Sequence, residues 1–266
     1  MDRRVNRTRG GSFHINQIQR LVLPEEQLLK HCSSQPFNVQ PSTKPSLILF
    51  DVNETLLDMD PVKKKINSLL GSKLGFRIWF GMLLQYSLVD NTTSEYHDFS
   101  TIGSAALDMA AMALDEKPDN DDKLKALSLM EKLPPYKDVE KGLKMLQTAG
   151  FRLAVLTNSS AATLRAQLEY ASLGAYFEAT VSVEAVKKFK PAPETYQLGA
   201  QTLGVAPGEV IMIAAHGWDI AGALKAGMQA GFIQRKGQSL YPLAPHPRFM
   251  GNDLIEVAEG IIKFHA

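Results

Sequence analysis

The chain has 266 residues, of which 45% are hydrophobic and 21% are charged, and its formal net charge is +1. This composition is that of a globular protein with a core, and the near-neutral charge gives no general attraction to nucleic acid or to an anionic membrane. The single cysteine excludes an internal disulfide framework and favours a reducing, cytoplasmic location.

Residues 1–44 differ from the rest of the chain in charge. They carry seven Lys or Arg and three Asp or Glu, which gives +4 and leaves −3 for the remainder. Their Pro/Ser/Gln-rich end favours a disordered N-terminal extension. The Arg-rich start keeps organellar targeting open as an alternative. No apolar run along the chain approaches the roughly 20 residues that span a bilayer.

A buried strand that runs directly into an aspartate opens the regular part of the chain. Residues 47–58 read LILFDVNETLLD, so Asp51 follows four apolar residues. In open α/β sheets, reactive groups collect at the carboxyl ends of the strands. Asp51 is therefore the first candidate for a catalytic carboxylate.

The spacing of apolar residues then becomes helical, from residue 61 to the proline pair at 134–135. From 136 onward, helices alternate with short apolar strands, of which 230–234 is the last that we predict. This alternation predicts an α/β protein with a parallel sheet covered by helices on both faces. The core then comprises 45–60 and 134–266, and 61–133 forms an inserted helical cap.

Four short polar motifs follow predicted strands in chain order. They contain Asp51, the pair Thr157 and Asn158, Lys190, and the turn that ends at Asp219. Each alone has an ordinary explanation as a helix cap, a turn or a solvated loop residue. Together, at one edge of one sheet, they indicate an active site.

In these four motifs the sequence resembles the haloacid dehalogenase superfamily, over roughly residues 45–240. Asp51 matches the nucleophile, Thr157 the hydroxyl residue, Lys190 the lysine, and Asp219 an acidic residue of the fourth motif. The resemblance implies a Rossmann-like core with a helical cap above the site.

Two positions separate the phosphatases of this superfamily from its dehalogenases. Phosphatases have a second aspartate two residues after the nucleophile, and acidic residues in the fourth motif that hold Mg²⁺. Here the first position is Asn53 and the fourth motif reads IAAHGWD, which leaves Asp219 as its one carboxylate. A phosphoryl transition state lacks its usual neutralising charge here. We therefore expect neither a metal nor another cofactor.

The sequence is most similar to the type II (L-2-haloacid) dehalogenases. Trp218 and Asp219 match the end of their fourth motif, and Asn158 matches their second. Phe99 aligns with a phenylalanine that lines the substrate pocket, whereas Trp79 has the simpler interpretation of cap core. The resemblance implies a small 2-halocarboxylate substrate and a homodimer.

The mechanism implied by this resemblance begins with attack of Asp51 on C2 of the haloacid. Halide leaves, and water hydrolyses the resulting aspartyl ester. Lys190 keeps Asp51 ionised and helps to hold the substrate, and Asp219 pairs with Lys190 and activates water. Thr55 donates a hydrogen bond to the loop, and Thr157 donates one to a carboxylate.

The sequence departs from the dehalogenase pattern in the cap and in two motifs. Phe80 stands where the family has a halide-binding arginine, and Arg77 lies one helical turn before it. Asn53 replaces a tyrosine and His216 replaces an asparagine. His216 either contacts halide, carboxylate or water, or only bonds within its turn.

The candidate residues fall into two groups. The candidate catalytic residues are Asp51, Thr55, Thr157, Asn158, Lys190 and Asp219. The candidate substrate-binding residues are Asn53, Phe80, Phe99, His216 and Trp218. Two alternatives stay open, a phosphatase or other hydrolase of the same superfamily and a catalytically silent binding protein.

Overall fold

The computed structural model describes residues 45–266, which contain one six-stranded sheet. The predicted extension 1–44 and its targeting alternative lie outside the described residues. The strands are β1 (Leu47–Phe50), β2 (Arg152–Thr157), β3 (Ala179–Ser182), β4 (Val210–Ala214), β5 (Gln229–Ile233) and β6 (Phe249–Gly251). The α/β prediction with a parallel sheet is confirmed, because every neighbouring pair of these strands is parallel.

The strand order β3-β2-β1-β4-β5-β6 places β1 between β2 and β4. Leu47 pairs with Arg152 on one side and with Val210 on the other, so the three strands run in register. All four residues of β1 are fully buried, which is typical of a parallel strand covered on both faces. Their alignment brings the chain segments that follow β1, β2 and β4 to the same edge of the sheet.

Helices cover the sheet and fill the segment after β1. Residues 45–266 contain nine α-helices, several of them with Ser or Asp side-chain caps. They are α1 (Asp60–Leu69), α2 (Gly75–Thr93), α3 (Phe99–Ala113), α4 (Asn120–Ser128), α5 (Val139–Thr148), α6 (Ala161–Tyr170), α7 (Pro193–Thr202), α8 (Gly217–Lys225) and α9 (Leu254–His265).

The prediction that 230–234 is the last strand is wrong. β6 follows it at the sheet edge, and α9 then packs against α5 and β6. β6 has only three residues, of which Met250 is half exposed, so it is too short to show an alternating pattern. Its place in the sheet depends on pairing with β5 rather than on its own sequence.

The segment between β1 and α5 consists of α1 to α4 and a short 3₁₀ helix, Leu129–Glu131. Trp79 on α2 is buried and donates a hydrogen bond from Nε1 to the carbonyl of Gly103 on α3, at 2.8 Å. The boundaries of this segment as a cap stay a prediction. Within 45–266, every helix is too short or too polar to cross a membrane.

Candidate active site

Asp51 lies at the centre of a buried polar cluster, immediately after β1. Its Oδ1 accepts a hydrogen bond from Lys190 Nζ at 2.8 Å, and its Oδ2 accepts one from Thr55 Oγ1 at 2.7 Å. His216 Nδ1 lies 3.3 Å from the same Oδ2. Asp51 is 5% exposed, so contacts with these three groups replace most of the hydrogen bonds that its carboxylate would make with water.

Lys190 joins Asp51 to a second carboxylate. Its Nζ lies 2.6 Å from Oδ2 of Asp219 and 3.1 Å from the carbonyl oxygen of Leu156, in addition to its contact with Asp51. The Asn158 side chain accepts a hydrogen bond from the Lys190 backbone N–H at 2.9 Å. Asn158 therefore positions the loop that carries the lysine.

Asp219 lies in the first turn of α8, where the helix dipole favours negative charge. Its side chain does not cap the helix. Oδ1 accepts a hydrogen bond from the Tyr196 hydroxyl at 2.6 Å, while Oδ2 contacts Lys190. A side chain at Gly222 would collide with that hydroxyl, so the glycine allows α7 and α8 to pack closely. Asp219 is fully buried and both its oxygens are occupied.

Burial and charge act against each other in this cluster, and at Asp219 burial prevails and raises the pKa although the charge of Lys190 lowers it. Burial tends to raise the pKa of Asp51, but the charge of Lys190 and the bonds from His216 and Lys190 outweigh it and hold the pKa well below its ordinary value. Burial tends to lower the pKa of Lys190, and the charges of Asp219 and Asp51 raise it instead. Asp51 is therefore a carboxylate, and Lys190 a cation, at neutral pH.

His216 connects Asp51 to Glu54. Nε2 of the imidazole lies 3.0 Å from Glu54 Oε2, on the side opposite Asp51. The ring of Trp218 stacks on the imidazole, with centroids 5.2 Å apart. Burial lowers the pKa of His216, but the hydrogen bonds to Asp51 and Glu54 prevail and raise it to about 9. The histidine is more than part of a turn, because it bridges two carboxylates.

Thr55 does not have the role that the sequence predicts, whereas the predicted bond from Thr157 to a carboxylate stays a prediction. Thr55 donates to the Asp51 carboxylate rather than to the loop, and its Oγ1 accepts a hydrogen bond from the Ala215 N–H at 2.9 Å. Thr157 is buried at the end of β2, and its Oγ1 accepts a hydrogen bond from the Ser159 N–H at 3.1 Å. Thr55 thus fixes Asp51, and Thr157 shapes the turn after β2.

Asn53 lies in a network of neutral side chains on another side of Asp51. Its amide donates to Ser159 Oγ at 3.2 Å and accepts a hydrogen bond from Gln167 Nε2 at 2.9 Å. Gln167 is fully buried and also donates to the carbonyl of Met130. Where a phosphatase would hold a second acid, this chain holds an amide between two polar neighbours.

Phe80 packs against the polar cluster at the position of the expected arginine. Its ring is buried, stacks on Phe76 with centroids 5.6 Å apart, and lies 6.1 Å from the His216 ring. Arg77 is exposed on α2, so it does not place its charge in this buried cluster. Trp218 stacks on His216 and lies 5.8 Å from Lys190 Nζ. The imidazole of His216 is therefore the polar ring in contact with Phe80.

A cavity of about 410 Å³ lies between the helices after β1 and the turn after β2. Phe99, Trp79, Leu83 and Met130 form part of its apolar wall, and Ser159 contributes a hydroxyl. Its volume is within the range of small-molecule sites. The cavity reaches Ser159, the partner of Asn53, but Asp51 and Lys190 do not line it. Phe99 therefore lies on a cavity wall, and its contact with a substrate stays a prediction.

Sequence reasoning missed four residues of this site, of which Glu54 and Tyr196 contact His216 and Asp219 directly. Glu54 directly precedes a predicted site residue, Thr55, and could have been suspected from that place. Tyr196 lies mid-helix and gives no signal, because only the packing of α7 on α8 brings it to the cluster. The other two are Gln167, which bonds Asn53, and Asn91, which bonds the backbone of Phe189 beside Lys190.

The carboxylates of the site are paired with nitrogen atoms of Lys190 and His216. Among residues 45–266 no group of three or more His, Cys, Asp or Glu side chains has the arrangement of a metal site. The amine of Lys190 lies between Asp51 and Asp219, the two carboxylates closest to the sheet edge. A metal between them would have to displace that amine.

Comparison with known proteins finds hydrolases among the matches of the sequence. The family model described as haloacid dehalogenase-like hydrolase matches residues 45–227. The chain is 31% identical over 219 residues to (S)-2-haloacid dehalogenase 1 of Pseudomonas sp. (strain CBS-3), covering 81% of this chain and 96% of that one. It is 30% identical over 202 residues to (S)-2-haloacid dehalogenase 4A of Burkholderia cepacia, covering 74% and 87%.

Solved structures agree with the sequence comparison. The L-2-haloacid dehalogenase from Xanthobacter autotrophicus superposes with a TM-score of 0.72 at 26% identity, covering 81% of this chain and 97% of that one. A HAD phosphatase from Thermococcus onnurineus superposes with a TM-score of 0.53 at 25% identity, covering 82% and 97%. The fold is common to both, and the dehalogenase has the higher structural similarity.

Proposed function

We propose a function for this chain from the premise that it belongs to the haloacid dehalogenase-like hydrolase family. The proposed reaction is hydrolysis of the carbon–halogen bond of a small (S)-2-haloalkanoic acid, without a metal ion. The observation that carries it is the ionised Asp51 held by Lys190 at the sheet edge, in a chain whose relatives bear the name (S)-2-haloacid dehalogenase.

The first half of the reaction uses Asp51 as the nucleophile. A carboxylate oxygen attacks C2, the carbon–halogen bond breaks with its electron pair on the halide, and an aspartyl ester forms. Lys190 and Thr55 fix the orientation of the carboxylate, and Lys190 keeps it ionised. Halide is a stable anion and leaves without a proton, so an amide at Asn53 serves as well as an acid would.

The second half of the reaction is attack of water on the carbonyl carbon of the ester. The bond between this carbon and the oxygen attached to C2 breaks, which releases the 2-hydroxy acid and restores Asp51 with one oxygen from water. Both oxygens of Asp219 are engaged by Lys190 and Tyr196, so we assign Asp219 the role of holding Lys190 rather than of activating water. The charge of Lys190 stabilises the oxyanion that develops beside it.

Substrate recognition is proposed to involve the neutral side of the site. Asn53 and the Ser159 hydroxyl offer hydrogen bonds near Asp51, and Phe99 forms part of an adjoining apolar wall. Phe80 beside His216 replaces a guanidinium with an aromatic ring next to an imidazole. The departing halide would then meet His216 and the edges of Phe80 and Trp218. We also propose that the protein is cytoplasmic and forms a homodimer.

The decisive experiment measures halide release from chloroacetate, fluoroacetate and both enantiomers of 2-chloropropionate, with and without EDTA. We expect release that survives EDTA, favours the (S) enantiomer, and disappears in Asp51→Asn. Asp58→Asn is the matched control on the same loop, because the one side-chain hydrogen bond of Asp58 within residues 45–266 is accepted from the Asp60 N–H. Mg²⁺-dependent turnover of p-nitrophenyl phosphate without halide release would instead establish a phosphatase.

A further inference from the structure

We propose that Glu54 is a positioning residue that holds His216 as the general base for hydrolysis of the ester on Asp51. This inference rests on the proposed function, because it concerns the second half of that reaction. It assigns a task to the Glu54 carboxylate, which the four sequence motifs leave unused.

The geometry places His216 in a chain of hydrogen-bonding groups. Nδ1 lies 3.3 Å from Asp51 Oδ2, and Nε2 lies 3.0 Å from Glu54 Oε2. Gln238 Nε2 donates to the same Glu54 oxygen at 3.0 Å and fixes the carboxylate from a separate loop. Glu54 and His216 are 18% and 5% exposed, respectively, at their side chains. The pair is therefore largely shielded from water and held on both sides.

This arrangement selects the tautomer that the chemistry requires. A carboxylate can only accept, so Glu54 retains the proton on Nε2 of a neutral imidazole. The lone pair then lies on Nδ1, which points to Asp51, where the ester forms. The aromatic rings of Phe80 and Trp218 cover the imidazole and keep it in this orientation. A water molecule between Nδ1 and the ester carbonyl would have its base on one side and its target on the other.

The backbone gives independent support for a task of the Glu54 side chain. Glu54 has a φ of 59°, in the left-handed region where glycine is favoured and a glutamate is disfavoured. A glutamate in this backbone conformation costs free energy. In functional sites, such a strained residue often carries a side chain that the function requires. Here the side chain is the one that reaches His216.

The covalent state of Asp51 controls the charge of His216. In the resting site Asp51 and Glu54 are the charged groups in contact with the imidazole, and Lys190 and Asp219 lie beyond Asp51. Conversion of Asp51 to an ester removes one negative charge from this group. The imidazolium then lacks the negative charge of Asp51 that stabilised it, and it releases its second proton to bulk water. His216 becomes a base only after the ester has formed.

The proton balance closes over the cycle. Neutral His216 takes a proton from the attacking water, and the hydroxyl oxygen bonds to the Asp51 carbonyl carbon. The imidazolium returns that proton to the departing alkoxide, which leaves as the 2-hydroxy acid. The new carboxylic acid on Asp51 then protonates His216 and restores the resting pair. The sum is haloacid plus water giving hydroxy acid, halide and one proton.

The test separates the two halves of the reaction in Glu54→Gln and Glu54→Gly. Halide release and 2-hydroxy acid formation are followed after mixing enzyme with excess (S)-2-chloropropionate, and the intact protein is weighed by mass spectrometry. We expect one equivalent of halide in a burst, an ester adduct on Asp51, and hydroxy acid formation slowed about 100-fold. In both variants, hydroxide should restore ester hydrolysis as the pH rises.

Asp115→Gly is the matched control. Asp115 also has a positive φ, of 55°, but is exposed and remote from these residues in sequence. Asp115→Gly should keep or raise the melting temperature, because glycine suits this backbone, whereas Glu54→Gly should lose the contact with His216 but still unfold in one cooperative transition. Only Glu54→Gly should accumulate the ester, which separates a loss of chemistry from a loss of fold.

Two results would overturn the inference. Equal slowing of the halide burst and of hydroxy acid formation in Glu54→Gln would show that Glu54 does not act in ester hydrolysis alone. Unchanged kinetics in both Glu54 variants would remove its role altogether. Absence of halide release by the unaltered enzyme would overturn the proposed function itself, and the inference with it.

Discussion

The two sides of Asp51 differ in chemical character. On one side, Lys190 and Asp219 form a buried ion-pair chain whose charged atoms lie within 2.8 Å of their partners. On the other side, Asn53 and Gln167 form a network of neutral amides that leads to an apolar cavity. The first side can change the charge of Asp51, whereas the second can only donate or accept hydrogen bonds.

This difference teaches how one nucleophile can serve different reactions. The charged side keeps a carboxylate ionised and holds it at the sheet edge, whatever the electrophile is. In the proposed reaction, the neutral side decides which electrophile is turned over, because it determines the shape and the proton donors around the substrate. We therefore expect changes on the charged side to affect rate and stability, and changes on the neutral side to affect substrate binding.

The largest expected effect is on the charged side, in Lys190→Met. The change leaves Asp51 and Asp219 as buried carboxylates without their shared cation, and breaking such a pair costs about 3–5 kcal/mol. Urea unfolding should show this loss, and halide release should fall by about 10³-fold or more, since the pKa of Asp51 rises. Lys190→Arg is the control that keeps the charge. Normal stability in Lys190→Met would contradict the ion-pair description.

A smaller effect is expected from pH, through His216. Its pKa of about 9 lies above the ordinary 6.5, so its stabilising contribution is complete below pH 6.5 and is lost as pH rises to about 9. The pKa of Asp51 lies below its ordinary 3.8, so its contribution is complete above that pH and is lost in stronger acid. Unfolding free energy should therefore be highest between about pH 4 and 6.5.

The size of the alkaline loss is on the order of 2 kcal/mol between pH 6.5 and 9. The same titration of His216→Asn is the comparison, because this variant lacks the ionisable group and should show a flatter curve over that interval. Equal slopes in the two proteins would mean that the contacts with Asp51 and Glu54 do not raise the pKa of His216.

The smallest expected effect is on the neutral side, in Asn53→Ala. The variant removes the acceptor of Gln167 and the donor to Ser159, which should cost about 1–2 kcal/mol of stability. We expect KM for the haloacid to rise about tenfold while kcat changes little, since Asp51 and Lys190 stay in place. A fall in kcat as large as that of Lys190→Met would show that the neutral side affects the rate as much as the charged side does.

Much of this site could be predicted from sequence, because its parts follow strands directly. Asp51 and Lys190 were expected to meet, and they do at 2.8 Å. The threonine roles could not be assigned in advance, since a hydroxyl can donate or accept and only the neighbours decide. Glu54 and Tyr196 were missed because one sits in a turn and the other within a helix, where sequence spacing carries no information about a distant partner.

The sequence alone determined the α/β class, the order of the motifs and the identity of the nucleophile candidate, because alternating apolar runs and polar strand ends are local patterns. Only the tertiary structure decided which groups surround Asp51. The parallel register of β1 with β2 and β4 brings residues more than 100 positions apart into contact, such as Asp51 and His216. Hydrogen bonds and pKa values depend on those contacts and on burial, which no single segment of the chain encodes.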